Sequence, residues 1–245
     1  MIASLGGDLV AVVAAVPEEL APLADALEAG SQLALGRARQ PASRGTLAGR
    51  EVILCASGLG KVNAARTLAC LLESQPVGAV LVTGVGGAYP GSRLRPGEVA
   101  LASEEILADE GVDTPDGFRD VRTIGIPLLP GLAGNRIPLD PDLVERARQA
   151  LGARGGEVRV GPFATVSTCS GTDLGAARLY ERWGALVESM EGAALALVAA
   201  HYQVPLVEIR AVSNTCGDRD RGSWDLAGAV RAAEAAARRV LEVLP

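Results

Sequence analysis

Short apolar runs recur along the chain, each closed by a turn signal and followed by a segment of helical composition. Residues 9–16, LVAVVAAV, carry no polar side chain, the pattern of a strand buried on both faces. Runs at 51–56, 77–82, 159–167 and 206–212 read the same way, with shorter strands at 98–102 and 185–187. Pro17 fits the first position of a helix, and Glu18-Glu19 place two acids in its first turn. That helix continues through 21–29 and can end at Gly30. Further helices are expected at 62–72, at 141–151 behind an Asp140 cap, at 176–183, and after Trp224-Asp225. Residues 32–50 are polar and read as a hairpin pair. Residues 108–136, rich in Gly, Asp and Pro, read as a long loop, and long loops in compact domains usually serve function. With no repeat and no linker, alternating strand and helix predict a single three-layer α/β domain over 1–245.

The most informative stretch runs from 186 to 225. Ser189 reads as an N-cap, 190–202 as a buried helix, and Val204-Pro205 as its end, because proline cannot continue a helix. The strand at 206–212 then delivers Ser213-Asn214 to its carboxyl end, the edge where open α/β sheets bind ligands. Glu191 falls in the first helical turn, where the helix dipole favours the anion. An ionised carboxylate only accepts hydrogen bonds, which suits a vicinal diol such as the 2′- and 3′-hydroxyls of ribose. Spacing alone favours the plainer role, a glutamate that complements the dipole.

Two glycine stretches invite a phosphate-binding reading, and both fail it. Gly84-Val85-Gly86 follows a strand, but Tyr89 stands where G-x-G-x-x-G needs its third glycine. Ser57 to Lys61 lacks the loop spacing, and Val62 replaces the Ser or Thr that would hold magnesium. Both read as tight turns beside a ligand, where bare backbone can approach closely.

Composition narrows the field. Hydrophobic residues make up 49% of 245 residues while aromatics are only 3%, so the core must rest on Ala, Val and Leu. The formal net charge of −6 argues against nucleic-acid binding and offers no polybasic membrane surface. No apolar run approaches a membrane span and no leader pattern opens the chain. The cysteines at 55, 70, 169 and 216 show no C-x-x-C spacing, so they read as small core residues in a reduced, cytoplasmic setting. A single histidine, His201, excludes a histidine-rich metal site and, late in its helix, reads as a surface or end-of-helix residue rather than a catalytic one. Asp218-Arg219-Asp220-Arg221 with Trp224 could grip a carboxylate and stack on a ring, or form a self-neutralising solvated turn.

S-M-E-G-A-A at 189–194, with V-P-L-V-E-I-R-A-V-S-N at 204–214, resembles the signature of the nucleoside phosphorylase and nucleosidase superfamily. The start of the chain and the glycine stretch near 85 resemble it too, and the futalosine hydrolases are the most similar branch. The resemblance implies a phosphorylase/hydrolase-like α/β/α fold on a central mixed sheet. It implies cleavage of a purine N-glycosidic bond, with no cofactor and no metal, in a homodimer or larger homo-oligomer. It places Glu18 as the base that activates water, Glu191 on the ribose diol and Met190 against the sugar. It also implies that Gly84, Val85, Gly86 and Thr168 contact substrate, and that Trp224, Arg219 and Arg221 meet the benzoate of futalosine. Glu19 satisfies a helix dipole at least as well as Glu18, so the choice of Glu18 rests on the resemblance. The absence of an arginine near V-P-E-E-L favours hydrolysis over phosphorolysis.

Asn214 departs from the adenosine-type nucleosidases, which carry an aspartic acid there. An amide donates a hydrogen bond but gives up no proton. That points to a 6-oxopurine, whose O6 spreads the developing charge. The rivals are a methylthioadenosine/adenosylhomocysteine or aminofutalosine nucleosidase, a phosphorylase, and a non-catalytic nucleoside-binding protein.

Overall fold

The computed structural model describes residues 8–153 and 158–245. In chain order it begins with β1 (Leu9–Ala14), α1 (Pro17–Asp25), β2 (Glu28–Leu35), β3 (Gln40–Leu47), β4 (Arg50–Ala56) and α2 (Lys61–Ser74). There follow β5 (Val77–Val82), β6 (Val85–Ala88), β7 (Val99–Leu107), β8 (Gly111–Thr114), β9 (Gly117–Asp120) and β10 (Arg136–Pro138). The last elements are α3 (Pro141–Gly152), β11 (Arg159–Thr165), α4 (Asp173–Trp183), β12 (Val187–Ser189), α5 (Gly192–Tyr202), β13 (Leu206–Thr215) and α6 (Leu226–Leu241).

Eleven strands form one mixed sheet in the order β10-β7-β11-β12-β6-β13-β5-β1-β4-β3-β2. β1 is buried along its whole length between parallel neighbours β4 and β5, which is why its sequence is apolar at every position. β13 joins the two halves of the sheet. Leu206 to Glu208 pair with β5, Ile209 to Ala211 with β7, and Ala211 to Thr215 with β6. The register slips between Val212 and Asn214, a bulge that re-aims the side chains at the strand's end.

Helices cover the sheet in a three-layer α/β/α arrangement. α2 packs on α5 in one group, and α1 and α3 pack on α6 in another. α6 buries Ala229, Ala233, Ala236 and Ala237, small side chains that let it lie close to the sheet. α3 starts where the sequence places it, since Asp140 Oδ1 accepts from the Asp142 and Leu143 N–H groups at 2.9 and 3.2 Å.

Four elements differ from the sequence reading. α1 ends at Asp25 rather than near Gly30, because the chain from Glu28 pairs with β3 and pairing overrides helix propensity. The glycine stretch is a strand, not only a turn: β6 lies between β12 and β13. Residues 108–136 contain the β8–β9 hairpin. Ser189 ends β12 instead of capping α5, so Glu191 itself takes the N-cap position.

Candidate active site

Several strand ends meet in one cleft. Ala15 follows β1, Ser189 ends β12 with Met190 and Glu191 after it, and Ser213 to Thr215 close β13. Val85 to Gly87 of β6 form one wall, with Leu59, Cys169, Ser170, Arg219 and Trp224 from the surrounding loops and Leu226 from the start of α6. The cavity holds about 300 Å³, the small end of the range for ligand pockets.

Glu19 is the acid that enters it. With Pro17 at the first helical position, Glu19 is at the third, from which a side chain can curl back to the helix start. Its Oε2 accepts from the Ala15 and Val16 N–H groups at 3.0 and 3.2 Å. Its Oε1 accepts from Val85 N–H at 2.8 Å. Glu18, one position earlier, is exposed and does not line the cleft. The expectation for Glu18 is therefore corrected in placement: the helix turns it outward and turns Glu19 in. Gly84 stands behind the glutamate with φ +142, and a Cβ there would lie 2.5 Å from Glu19 Oε1. Gly84 thus supports the site without lining it, whereas Val85 and Gly86 do line it.

Arg210 is the buried cation of the site, 1% exposed, and the sequence reading passed over it as part of an apolar strand. Nε donates to Glu208 Oε1 at 2.7 Å, Nη1 to the Val85 carbonyl at 3.2 Å, and Nη2 lies 3.7 Å from Glu191 Oε2. Burial alone would lower its pKa, but Glu208, Glu191 and Glu19 outweigh that and hold it above the usual arginine range. So an arginine stands near Glu19 in space although none is near it in the sequence, and carboxylates already match it. A visible signal was the charged pair Glu208 and Arg210, two residues apart in the otherwise apolar run 206–212.

Glu191 is 3% exposed, with Gly60 N–H donating to its Oε1 at 2.9 Å. Burial raises its pKa, opposed by Arg210 and by that N–H. Met190 lines the cleft beside it. Asn214 also lines the cleft; its Oδ1 accepts from Ser213 Oγ at 2.8 Å and its Nδ2 donates to the Thr215 carbonyl at 3.0 Å. One amide N–H remains for a ligand.

Glu188 is a further lining residue that sequence reasoning missed. Three donors fix its carboxylate: Ser170 N–H at 2.9 Å, Ser170 Oγ at 2.6 Å and Tyr89 Oη at 2.9 Å. Burial, with Glu188 beside it, pushes the Tyr89 hydroxyl far above its ordinary pKa, so Tyr89 remains a donor. Cys216 is buried in the core as expected and Cys169 is half-buried against the same cluster, and both also line the cleft. Burial raises both thiols, so neither is poised as a nucleophile.

At the outer end Arg219 lies 5.0 Å and Arg221 5.9 Å from the Trp224 ring centroid. Arg219 and Trp224 line the cleft; Arg221 is exposed and reaches it only through the tryptophan. Thr168 is exposed and outside the cleft, because the loop turns its neighbours Cys169 and Ser170 inward instead.

The chain is 38% identical to the futalosine hydrolase of Thermus thermophilus, across 80% of this chain and 83% of that protein. It is 33% identical to the 5′-methylthioadenosine/S-adenosylhomocysteine nucleosidase of Bacillus thuringiensis subsp. konkukian, across 88% of this chain and 90% of that one. Among solved structures, the corresponding nucleosidase of Neisseria meningitidis in complex with methylthio-immucillin-A superposes with a TM-score of 0.84 at 27% identity, covering 97% of this chain and 100% of that one. The sequence model of the phosphorylase superfamily matches residues 9–244. On that match and this architecture, the chain belongs to the phosphorylase superfamily.

Proposed function

We propose that this protein hydrolyses the N-glycosidic bond of futalosine, giving hypoxanthine and dehypoxanthine futalosine. The observation that carries the reading is the fixed Glu19 carboxylate, set in a cleft whose buried cation is already matched by Glu208 and Glu191. An incoming phosphate would meet Glu19, Glu188 and Glu191, whereas a water meets an acceptor ready to take its proton.

Glu19, held by three N–H donors, orients the water and takes its proton as oxygen attacks C1′. Glu191 accepts the ribose hydroxyls with its remaining lone pairs, and Met190 packs on the sugar. Asn214 donates to the purine as charge develops there, and transfers no proton. Glu188, fixed as an acceptor in the same cleft, matches the N1–H of a 6-oxopurine and mismatches the N1 lone pair of adenine. Trp224 stacks on the benzoate and Arg219 pairs with its carboxylate.

The 33% identity to a methylthioadenosine/adenosylhomocysteine nucleosidase supports a second reading, a 6-aminopurine substrate. Asn214 and Glu188 oppose it. Exposed Leu59, Val62, Ile124, Ile126 and Leu226 support assembly into a homo-oligomer. No described helix is long and apolar enough to cross a membrane. The four cysteines are free thiols, which fits a cytoplasmic setting.

The test is product analysis with futalosine, aminofutalosine, methylthioadenosine and inosine, each with and without phosphate. Free hypoxanthine at a phosphate-independent rate is expected from futalosine. A ribose-1-phosphate product, or faster release of adenine than of hypoxanthine, overturns the reading.

A further inference from the structure

Two acids beneath the cleft touch no substrate in the reading above, where Glu208 enters only as the partner of Arg210. Glu105 on β7 and Glu208 on β13 are both 0% exposed. A Cβ on Gly192, the first residue of α5, would lie 2.5 Å from Glu105 Oε2 and 2.5 Å from Glu208 Oε2. The two carboxyl groups therefore converge on one bare α-carbon. Glu208 Oε1 accepts from Arg210 Nε at 2.7 Å, and Glu105 Oε2 accepts from Thr165 Oγ1 at 3.2 Å. Thr165 Oγ1 in turn accepts from Ala193 N–H at 2.7 Å, so its own proton is free for Glu105. Glu105 Oε1 and Glu208 Oε2 remain, both buried and both without a hydrogen-bond partner.

Two adjacent anions cannot both be sustained in such a place, since like charges at close range push one carboxyl toward its neutral form. A single proton resolves the repulsion and gives a partnerless oxygen its donor. We propose that Glu105 and Glu208 hold one proton between them, seated mainly on Glu105, and that this pair is the positioning device that fixes Arg210 and, through it, Glu191 and Glu19. The seat follows from the surroundings. Glu208 has the Arg210 guanidinium as counter-ion; Glu105 has only the Thr165 hydroxyl.

The charged groups that face Glu105 are Glu208 and Arg210 from β13, with Glu191 ahead of α5 and Glu19 from α1 beyond the arginine. β11 and β12 add only hydroxyls, Thr165 and Ser189, and β10 sets Ile137 opposite. Burial, then the Glu208 charge, pushes Glu105 well above the usual carboxylate range, while Arg210 opposes. With Glu105 neutral, the one positive charge of Arg210 answers Glu208, Glu191 and Glu19 and no fourth anion.

Only the kinetic arm of the test rests on the nucleosidase reading. Infrared difference spectra of wild type against Glu105→Gln at neutral pH should show a protonated carboxyl band that the variant lacks. Glu105 titrates higher in the folded than in the unfolded chain, so the wild type loses stability relative to Glu105→Gln as pH rises from about 4.3. That loss should be about tenfold in folding equilibrium per pH unit until the folded pKa is passed. An absent band, or parallel stability curves, overturns the proposal.

Kinetically, the side-chain amide introduced by Glu105→Gln can still donate to Glu208, so this variant should keep kcat and KM within about threefold. Glu208→Gln removes the anion on Arg210 and should raise KM for the nucleoside about tenfold, with a smaller change in kcat. Equal damage from both substitutions overturns the positioning role. If Glu208→Gln does not fold, the spectra and stability curves of Glu105→Gln still decide. If wild type turns over no nucleoside, the proposed function fails and those two measurements stand.

Discussion

Glu19 and Arg210 are anchored on the same residue. Val85 donates its N–H to Glu19 Oε1 at 2.8 Å and accepts from Arg210 Nη1 through its carbonyl at 3.2 Å. One residue of β6 thus fixes the separation of an anion and a cation that come from helix α1 and strand β13. Neither side chain can shift without losing a bond to that shared residue.

The first consequence is a division between adjacent glutamates. Glu19→Gln should lower kcat for futalosine hydrolysis by about 10²–10⁴-fold, the usual scale for a lost general base. Glu18→Gln should leave it nearly unchanged, because Glu18 faces solvent. Steady-state kinetics on the two variants decide; equal losses would remove the assignment to Glu19.

Gly84→Ala tests the support behind that base. Its φ of +142 disfavours any side chain, and the new Cβ would press on Glu19 Oε1. The substitution should cost about 1–3 kcal/mol of stability and lower kcat as well. Thermal unfolding and turnover should fall together; a stable, fully active variant would show that the glutamate has slack.

Asn214 separates the two closest substrate classes. Asn214→Asp should lower kcat/KM for futalosine and raise the relative rate for aminofutalosine or methylthioadenosine. A protonated aspartic acid can donate to N7 while accepting from an adenine amino group, and mismatched buried polar partners discriminate strongly. The ratio of kcat/KM for 6-oxo and 6-amino substrates is the measurement. An unchanged ratio would show that position 214 does not read the base.

Trp224→Ala should raise KM for futalosine much more than for inosine, which lacks the benzoate. The ring lies against Arg219 and Arg221, so its loss also frees the arginine that would face the carboxylate. Equal effects on both substrates would reduce Trp224 to packing.

The acid limb of the pH profile should lie above the ordinary carboxylate range. Burial raises the Glu191 pKa, and only the ionised form accepts both ribose hydroxyls. kcat/KM should therefore fall as pH drops through a value higher than the ~4.3 of free glutamate. An analogue lacking the 2′-hydroxyl should lose part of that dependence. A profile flat down to the ordinary range would place Glu191 off the ribose.

Most of the architecture could be read from the chain because burial writes itself into periodicity. β1 and β5 are apolar at nearly every position because they run through the middle of the sheet, where helices cover both of its faces. β6 could not be read so, because its glycines answer tertiary crowding: a Cβ on Gly87 would sit 2.6 Å from Cys216 Sγ. Around the cleft, Glu191 and Asn214 announce themselves by their place at element ends. Glu18 and Glu19 have the same composition and differ only in helical phase, which the position of Pro17 fixes. Arg210 and Glu188 were hidden because each sits inside a strand, and their roles depend on partners far away in sequence: Val85 for one, Tyr89 for the other.

The bare α-carbon of Gly192 carries a consequence for descent. Its missing side chain is the space into which Glu105 and Glu208 both reach, so a change at any of the three positions bears on the other two. A relative that replaces Gly192 by alanine must give up at least one of the two carboxyl groups or draw it back. A relative that has an apolar residue in place of Glu208 is released from the glycine. Covariation among these three positions is therefore expected wherever a buried acid pair is kept under the arginine, and its absence where the charge is settled another way.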